Sequence, residues 1–302
     1  MLQDMDLTTQ KTVSEGKSSK TTTEPPKRSL KQWSFLSNLG DGFSSAVFKA
    51  QHSITQDVVA IKKVNVRMLA SLYKNVMTYE DARRRVEYEV NVLCSLNHPA
   101  IPKPLEFYYT SNHMYVCMSY LKGHPLLNLV ETGRVEEIRV RHIMSQLLHI
   151  VAHVHSKNIV HGDLKPENIL LDESDDDKIS VVDFGFARRL AAGRQTKALG
   201  WTKEYSPPEA FCSQTISTDW DIWSCGVIMY ILLTGCYPFD YDKVNWLAAD
   251  QSVSLCCPEF LSNEAVEVFV AMLTVDKEIR PSAHEILQMP FFTCELSSSE
   301  ED

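Results

Sequence analysis

Between residue 32 and residue 120 the apolar and aromatic positions fall in short runs separated by turn formers: FLSNLG, SAVFKAQH, VVAIKKVNV and MYVCMSY. Their β-branched and aromatic content predicts strands. Further along, apolar positions recur at helical spacing. Ile143, Leu147, Leu148, Val151, Ala152 and Val154 form one such stripe, and Val266, Phe269, Val270 and Leu273 another. Sheet first and helices after predicts an α+β protein in two lobes, about 32–120 and about 121–293. The flanks lack the pattern. Residues 1–31 are rich in Ser, Thr and Lys and contain Pro25-Pro26. They hold too little apolar surface to offset the entropy of ordering, so a disordered tail is expected. Residues 294–302, CELSSSEED, read as a short acidic tail.

Length agrees with the two-lobed division, since 302 residues is twice the common domain size of about 150. Charge narrows the partners. Acids exceed bases by 39 to 30, a net −9, which argues against a nucleic-acid-binding surface. The longest apolar run, Val227 to Leu233, is far short of the roughly 18 residues that cross a bilayer. The eight cysteines form no CxxC pair and are expected as scattered reduced thiols. No cationic stretch followed by an apolar core opens the chain, so a cytoplasmic or nuclear location is the default expectation.

Candidate chemistry gathers in four places. Leu39-Gly40-Asp41-Gly42-Phe43-Ser44-Ser45-Ala46-Val47 lies between two predicted strands. Its glycines allow backbone N–H groups to approach phosphates, although a plain hairpin turn reads equally well. Lys62 sits in the apolar strand Val59-Ala60-Ile61-Lys62, where its ammonium needs an anionic partner. Alternation sends Lys63 to the other face. Glu89 is the chosen partner, because Leu93 and Leu96 share its helical face; Glu87 competes. In His161-Gly162-Asp163-Leu164-Lys165-Pro166-Glu167-Asn168, Asp163 can accept a hydroxyl proton and Lys165 can balance charge on a phosphoryl group. Asn168 offers a neutral oxygen to a metal. Asp183-Phe184-Gly185 supplies a carboxylate suited to Mg²⁺. His161 reads as a packing element under Asp163.

These motifs, in this order, resemble those of eukaryotic-type protein kinases over about Trp33 to Phe292. Ser206-Pro207-Pro208-Glu209, Asp221-Ile222-Trp223-Ser224-Cys225-Gly226 and Arg280 extend the resemblance. It implies a small antiparallel-sheet N-lobe with one main helix, a larger helical C-lobe, and ATP and Mg²⁺ as cofactors. It implies that Gly40 and Gly42 cover the phosphates, that Lys62 holds them and pairs with Glu89, and that Asp163 is the base. Asn168 and Asp183 would bind Mg²⁺. Adenine would lie between Leu39, Val47 and Ala60 on one side and Leu170 on the other. Met118 would stand at the back, with backbone groups of Ser119 and Leu121 at the adenine edge. Glu209 would pair with Arg280. Lys165 and Thr202 resemble the serine/threonine-specific pattern, so protein substrates are the expected partners. Asp-Leu-Lys-Pro-Glu-Asn and Gly235-Cys236-Tyr237-Pro238-Phe239 lean toward the calcium/calmodulin-dependent-kinase-like branch. An inactive scaffold of the same fold is the alternative. No regulator is implied.

The sequence departs from the family pattern in places. Gly162 replaces the arginine that in the family binds an activation-loop phosphate, so activity independent of that phosphate is expected. Ser45 stands at the third glycine. The stretch NVRMLASLYKNVMTYEDARRR lengthens the interval from Lys62 to Glu89, and either extends the Glu89 helix, adds a helical turn or is a solvated insertion. The acids at 172–177 are expected in a solvated hairpin turn. Pro125 and Ile231 occupy positions where arginine-directed relatives carry acids, although Glu167 remains, so a weak preference for arginine follows.

Overall fold

The computed structural model describes residues 30–73, 77–191, 196–198, 200–240 and 255–294. Of the tails expected over 1–31 and 294–302, residues 1–29 and 295–302 lie outside the described residues. Leu30 and Lys31, expected in the disordered tail, are instead part of a 3-10 turn (Leu30–Gln32). Leu30 and Trp33 pack on a cluster of Ala50, Val59, Ile61, Tyr108, Tyr115 and Cys117. The chain divides into two compact units, one ending at Leu121 and the other containing His98–Ile101 and Lys122 onward.

The first unit is a five-stranded antiparallel sheet in the order β1-β2-β3-β5-β4. Its strands are β1 (Trp33–Asp41), β2 (Ser45–His52), β3 (Val58–Asn65), β4 (Pro104–Tyr109) and β5 (His113–Ser119). Alternation along β3 sorts its side chains cleanly. Val59 and Ile61 join the cluster on one face, while Ala60 and Val64 join Val86, Val90, Met114, Val116 and Met118 on the other.

The stretch after β3 forms a helix of its own, α1 (Val66–Leu72), followed by α2 (Tyr79–Ser95). Asn65 ends the strand because its side chain accepts a hydrogen bond from the Met68 N–H, an N-cap. Thr78 and Asp81 make a capping box that starts α2. Val66 and Leu69 lie in the same cluster as Ala82 and Val86, so α1 contributes to the core and is not a solvated insertion.

The second unit is mostly helical. Its long elements are α4 (Glu137–Ser156) and α6 (Thr218–Thr234), with α3 (Leu127–Val130), α5 (Pro208–Cys212), α7 (Asn263–Met272), α8 (Ala283–Ile286) and α9 (Pro290–Thr293). α6 is apolar all round, and every residue from Trp220 to Leu233 is buried. It stops at Gly235, which takes the left-handed φ of 76° that a C-cap requires and that L side chains resist. On α7 the buried face is Ala265, Val268, Phe269 and Met272, while Val270 is exposed. Of the predicted stripe, Phe269 and Leu273 are buried and Val266 half-buried, and only Val270 faces outward. Short strands complete the unit: β6 (His124–Pro125), β7 (Ile159–Val160), β8 (Ile169–Asp172), β9 (Lys178–Val181), β10 (Arg188–Arg189), β11 (Thr196–Lys197) and β12 (Thr215–Ile216). They pair as β6-β8-β9, β7-β10 and β11-β12.

Candidate active site

Lys62 shares the β3 face of Ala60 and Val64, and its ammonium would be desolvated there without a counter-ion. Its Nζ donates to Glu89 Oε1 at 2.6 Å, and only about a tenth of either side chain is exposed (11% and 12%). α2 presents Glu89 because Ala82, Val86 and Val90 hold its buried face in one cluster with Ala60, Val64, Met114, Val116 and Met118 of the sheet. Glu87, the competing candidate, points elsewhere and takes bonds from Arg83 and Tyr109. Lys63, on the opposite face, lies over the Tyr115 ring. Removing one member of so buried a pair typically costs about 3–5 kcal/mol.

The loop that carries Asp163, Lys165 and Asn168 is fastened to α6. Asp221, fully buried on that helix, accepts the main-chain N–H of His161 at 2.8 Å and of Gly162 at 2.9 Å, and pairs with His155 Nε2 at 2.8 Å. Burial opposes its charge, yet these donors hold its carboxyl below the usual range. Gly162 turns the chain with φ of 78°. A Cβ there would lie 2.7 Å from Ile216 Cδ1 and 3.2 Å from the Phe186 carbonyl, so the missing arginine coincides with a backbone shape that disfavours any side chain.

Beyond this turn Asp163, 7% exposed, becomes the centre of a short network. Thr202 Oγ1 donates to its Oδ1 at 2.6 Å, and Lys165 Nζ lies 3.0 Å from its Oδ2. Lys165 also donates to Thr202 at 2.9 Å. Asn168 Nδ2 donates to the Asp163 carbonyl at 2.8 Å and to Oδ2 at 3.3 Å. The carboxylate is thus aimed by three side chains, one of them Thr202, 39 residues further along the chain.

Asn168 and Asp183 are brought together by the β8–β9 hairpin. Ile169 pairs with Val181, and the Val182 N–H donates to the Asn168 carbonyl at 2.9 Å. Asp183 takes φ of 59°, and Phe184 beside it is buried edge-on to His161 at 4.7 Å. His161 accepts the Asp163 N–H and bonds the Val182 carbonyl, so it packs the loop as its sequence position suggested. Because the amide NH₂ of Asn168 is committed to Asp163, its carbonyl oxygen is the group left for a ligand. An amide oxygen and a carboxylate are hard donors and fit Mg²⁺. Among the described residues no group of three or more His, Cys, Asp or Glu side chains is arranged to hold a metal alone.

The remaining candidates fall as follows. Gly40 and Gly42 lie on the exposed β1–β2 hairpin, where Gly40 pairs with Val47 and the Gly42 N–H bonds the Ser45 carbonyl at 2.7 Å. Val47, Ala60 and Met118 share one apolar cluster; Leu39 is exposed and Leu170 half-buried. Leu121 is the half-buried last residue of its unit. The Ser119 N–H donates to the Lys103 carbonyl at 2.9 Å. Arg280, with no exposed side-chain surface, grips Glu209 through both NH groups and also donates to the carbonyls of Thr274 and Asp219. The acidic turn at 172–177 is a hairpin, but an anchored one. Arg139 of α4 pairs with Asp177 and Glu173, and Lys122 with Asp172. Three contributors escaped the sequence reading: His155 on Asp221, Ile216 against Gly162, and the aim that Thr202 gives Asp163. No spacing rule links residues 39 to 66 positions apart.

The chain is thus a two-unit α+β protein with an ammonium–carboxylate pair on its sheet and an aspartate–lysine–asparagine loop on its helical unit. Residues 33–292 match the family model described as the protein kinase domain, and the chain belongs to that family. It is similar to the SNF1-related protein kinase catalytic subunit alpha KIN12 of Arabidopsis thaliana, 35% identical over 260 residues, covering 85% of this chain and 51% of the relative. The serine/threonine protein kinase OSK3 of Oryza sativa subsp. indica is 34% identical over 270 residues (88% and 51%). The carbon catabolite-derepressing protein kinase of Saccharomyces cerevisiae is 32% identical over 286 residues (92% and 44%). The chain spans about half the length of these curated relatives. No helix among the described residues is long and apolar enough to cross a membrane.

Proposed function

We propose that the chain transfers the γ-phosphate of ATP to serine or threonine hydroxyls of protein substrates. The observation that carries this reading is the Asp163 network, in which Thr202, Lys165 and Asn168 together orient one buried carboxylate. Asp163 takes the hydroxyl proton as the oxygen bonds to the γ-phosphorus, and the bond to the departing diphosphate breaks. Lys165 offsets charge on the moving phosphoryl group, and Lys62, oriented by Glu89, holds the phosphates of the nucleotide. Bound Mg²⁺, with Asn168 and Asp183 as its protein ligands, supplies charge neutralisation on the phosphates. The serine/threonine kinases among the relatives support the choice of hydroxyl. Pro125 and the buried Ile231 supply no acid for an upstream arginine, so a weak arginine preference accompanies this reading.

The test is a peptide library with Mg-ATP, run beside Asp163→Asn and Asp183→Ala. Each variant should lose at least about a hundredfold in turnover, the usual worth of a general base or an electrostatic group. Equal incorporation by wild type and Asp183→Ala would point to a contaminant and to the scaffold alternative.

A further inference from the structure

We propose that Cys236, Cys256 and Cys257 form a thiol–disulfide exchange site at the C-terminal end of α6, in which Cys236 closes a disulfide with one of the vicinal pair. All three are free and exposed. They are gathered by two residues one turn apart on the same face of α6, Tyr230 and Thr234. Thr234 Oγ1 donates to the Tyr230 carbonyl at 2.8 Å, accepts the Cys236 N–H at 3.3 Å and lies 3.4 Å from Cys236 Sγ. The Tyr230 hydroxyl donates to the Cys256 carbonyl at 3.0 Å, which brings the segment holding both vicinal cysteines onto that face. Burial is the first cause that pushes the Tyr230 phenol up to about 12, and the negative charge available to Cys236, Cys256 and Cys257 adds to it. The other exposed cysteines, Cys94, Cys212 and Cys294, have no cysteine beside them in sequence.

The oxidant class is a low-molecular-weight disulfide. A thiolate of the site attacks one sulfur of that disulfide, forms a mixed disulfide and releases one small thiolate. The second protein thiolate then attacks the protein-bound sulfur and releases the other small thiolate. Two protein thiols are oxidised, one small disulfide is reduced to two thiols, and two protons leave the protein.

The consequence reaches the turn after Thr202 through the next residue. The Tyr237 hydroxyl bonds the Tyr205 hydroxyl at 3.1 Å, and their rings meet edge-on at 5.8 Å. Tyr205 closes the turn that starts after Thr202. On the proposed function the hydroxyl substrate meets Asp163 beside Thr202, so tying Cys236 down constrains the turn next to that substrate and leaves Lys62 untouched.

The experiment incubates the folded full-length chain with oxidised glutathione, quenches it with an alkylating agent, and maps the disulfides by mass spectrometry. The expected product is a monomer with a Cys236–Cys256 or Cys236–Cys257 link and loss of two alkylatable thiols, reversed by reductant. Cys236→Ser and the Cys256→Ser/Cys257→Ser double variant should each abolish that link. A Cys256–Cys257 link, a persistent glutathione adduct on Cys236 with no internal link, or a Cys236 link formed only after denaturation would overturn the proposal. The peptide KM of the oxidised chain should rise with the ATP KM unchanged. An inactive chain leaves the mapping readout intact, so failure of the kinase reading and failure of the thiol site are separable.

Discussion

Replacing Gly162 with alanine isolates the turn at the position where the protein-kinase pattern has arginine. Two costs follow from the geometry. An L side chain at φ of 78° gives up about 1–2 kcal/mol of backbone free energy. The new Cβ also falls 2.7 Å from Ile216 Cδ1 and 3.2 Å from the Phe186 carbonyl, an overpacking worth about 1–3 kcal/mol. Together Gly162→Ala should destabilise by about 2–5 kcal/mol, with the melting point falling roughly 2–4 °C for each kcal/mol. Ile216→Val removes the very atom struck and costs about 0.5–1.5 kcal/mol by itself. In equilibrium urea unfolding, the double variant should therefore lose at least about 1 kcal/mol less than the sum of the singles. Additivity within about 0.5 kcal/mol would refute the contact at Ile216, and a Gly162→Ala chain as stable as wild type would refute the turn strain as well.

Other outcomes are equally definite. Arg280→Met leaves Glu209 half-sequestered without its partner and should cost about 3–5 kcal/mol in denaturant unfolding; a loss below about 1 kcal/mol would mean the pair is solvent-screened. Burial, aided by a neighbouring positive group in each case, holds His98 and His153 below the ordinary imidazole pKa. The unfolded chain therefore binds protons that the folded chain refuses as pH falls below about 6.5, so stability should drop as pH is lowered through that region. His153→Leu should flatten that part of the curve measured by unfolding at stepped pH, and an unchanged slope would assign it to other groups. Thr196 lies in β11, held to β12 by main-chain pairing. With no arginine at 162 to receive a phosphate, Thr196→Ala and phosphorylated Thr196 should match wild-type turnover within about tenfold, or 1.4 kcal/mol; a larger change would restore a phosphate switch.

The parts of the fold readable from sequence were those where a local rule decides. Alternation alone separated Lys62 from Lys63, and helical spacing alone preferred Glu89 to Glu87. The apolar stripe of α4 was equally plain, with Ile143, Leu147, Leu148, Val151 and Val154 all buried. Errors arose where tertiary packing chose among apolar residues. On α7 it buried Ala265 and Met272 and exposed Val270. β4 opens with a proline, which hides it from a strand pattern, and Val66, the last residue of the predicted run VVAIKKVNV, instead begins α1 because the Asn65 side chain caps it. The anchoring of the acidic turn by Arg139 and Lys122 depends on partners 34 to 50 residues away, which no short-range pattern encodes.

The buried Asp221 ties the amides of His161 and Gly162 to a helix whose residues from Trp220 to Leu233 are all buried. Those two amides can exchange with solvent only when that helix gives way. Gradual warming should therefore leave the loop's alignment unchanged until its supporting unit melts, and catalytic output should end abruptly with that transition instead of fading ahead of it.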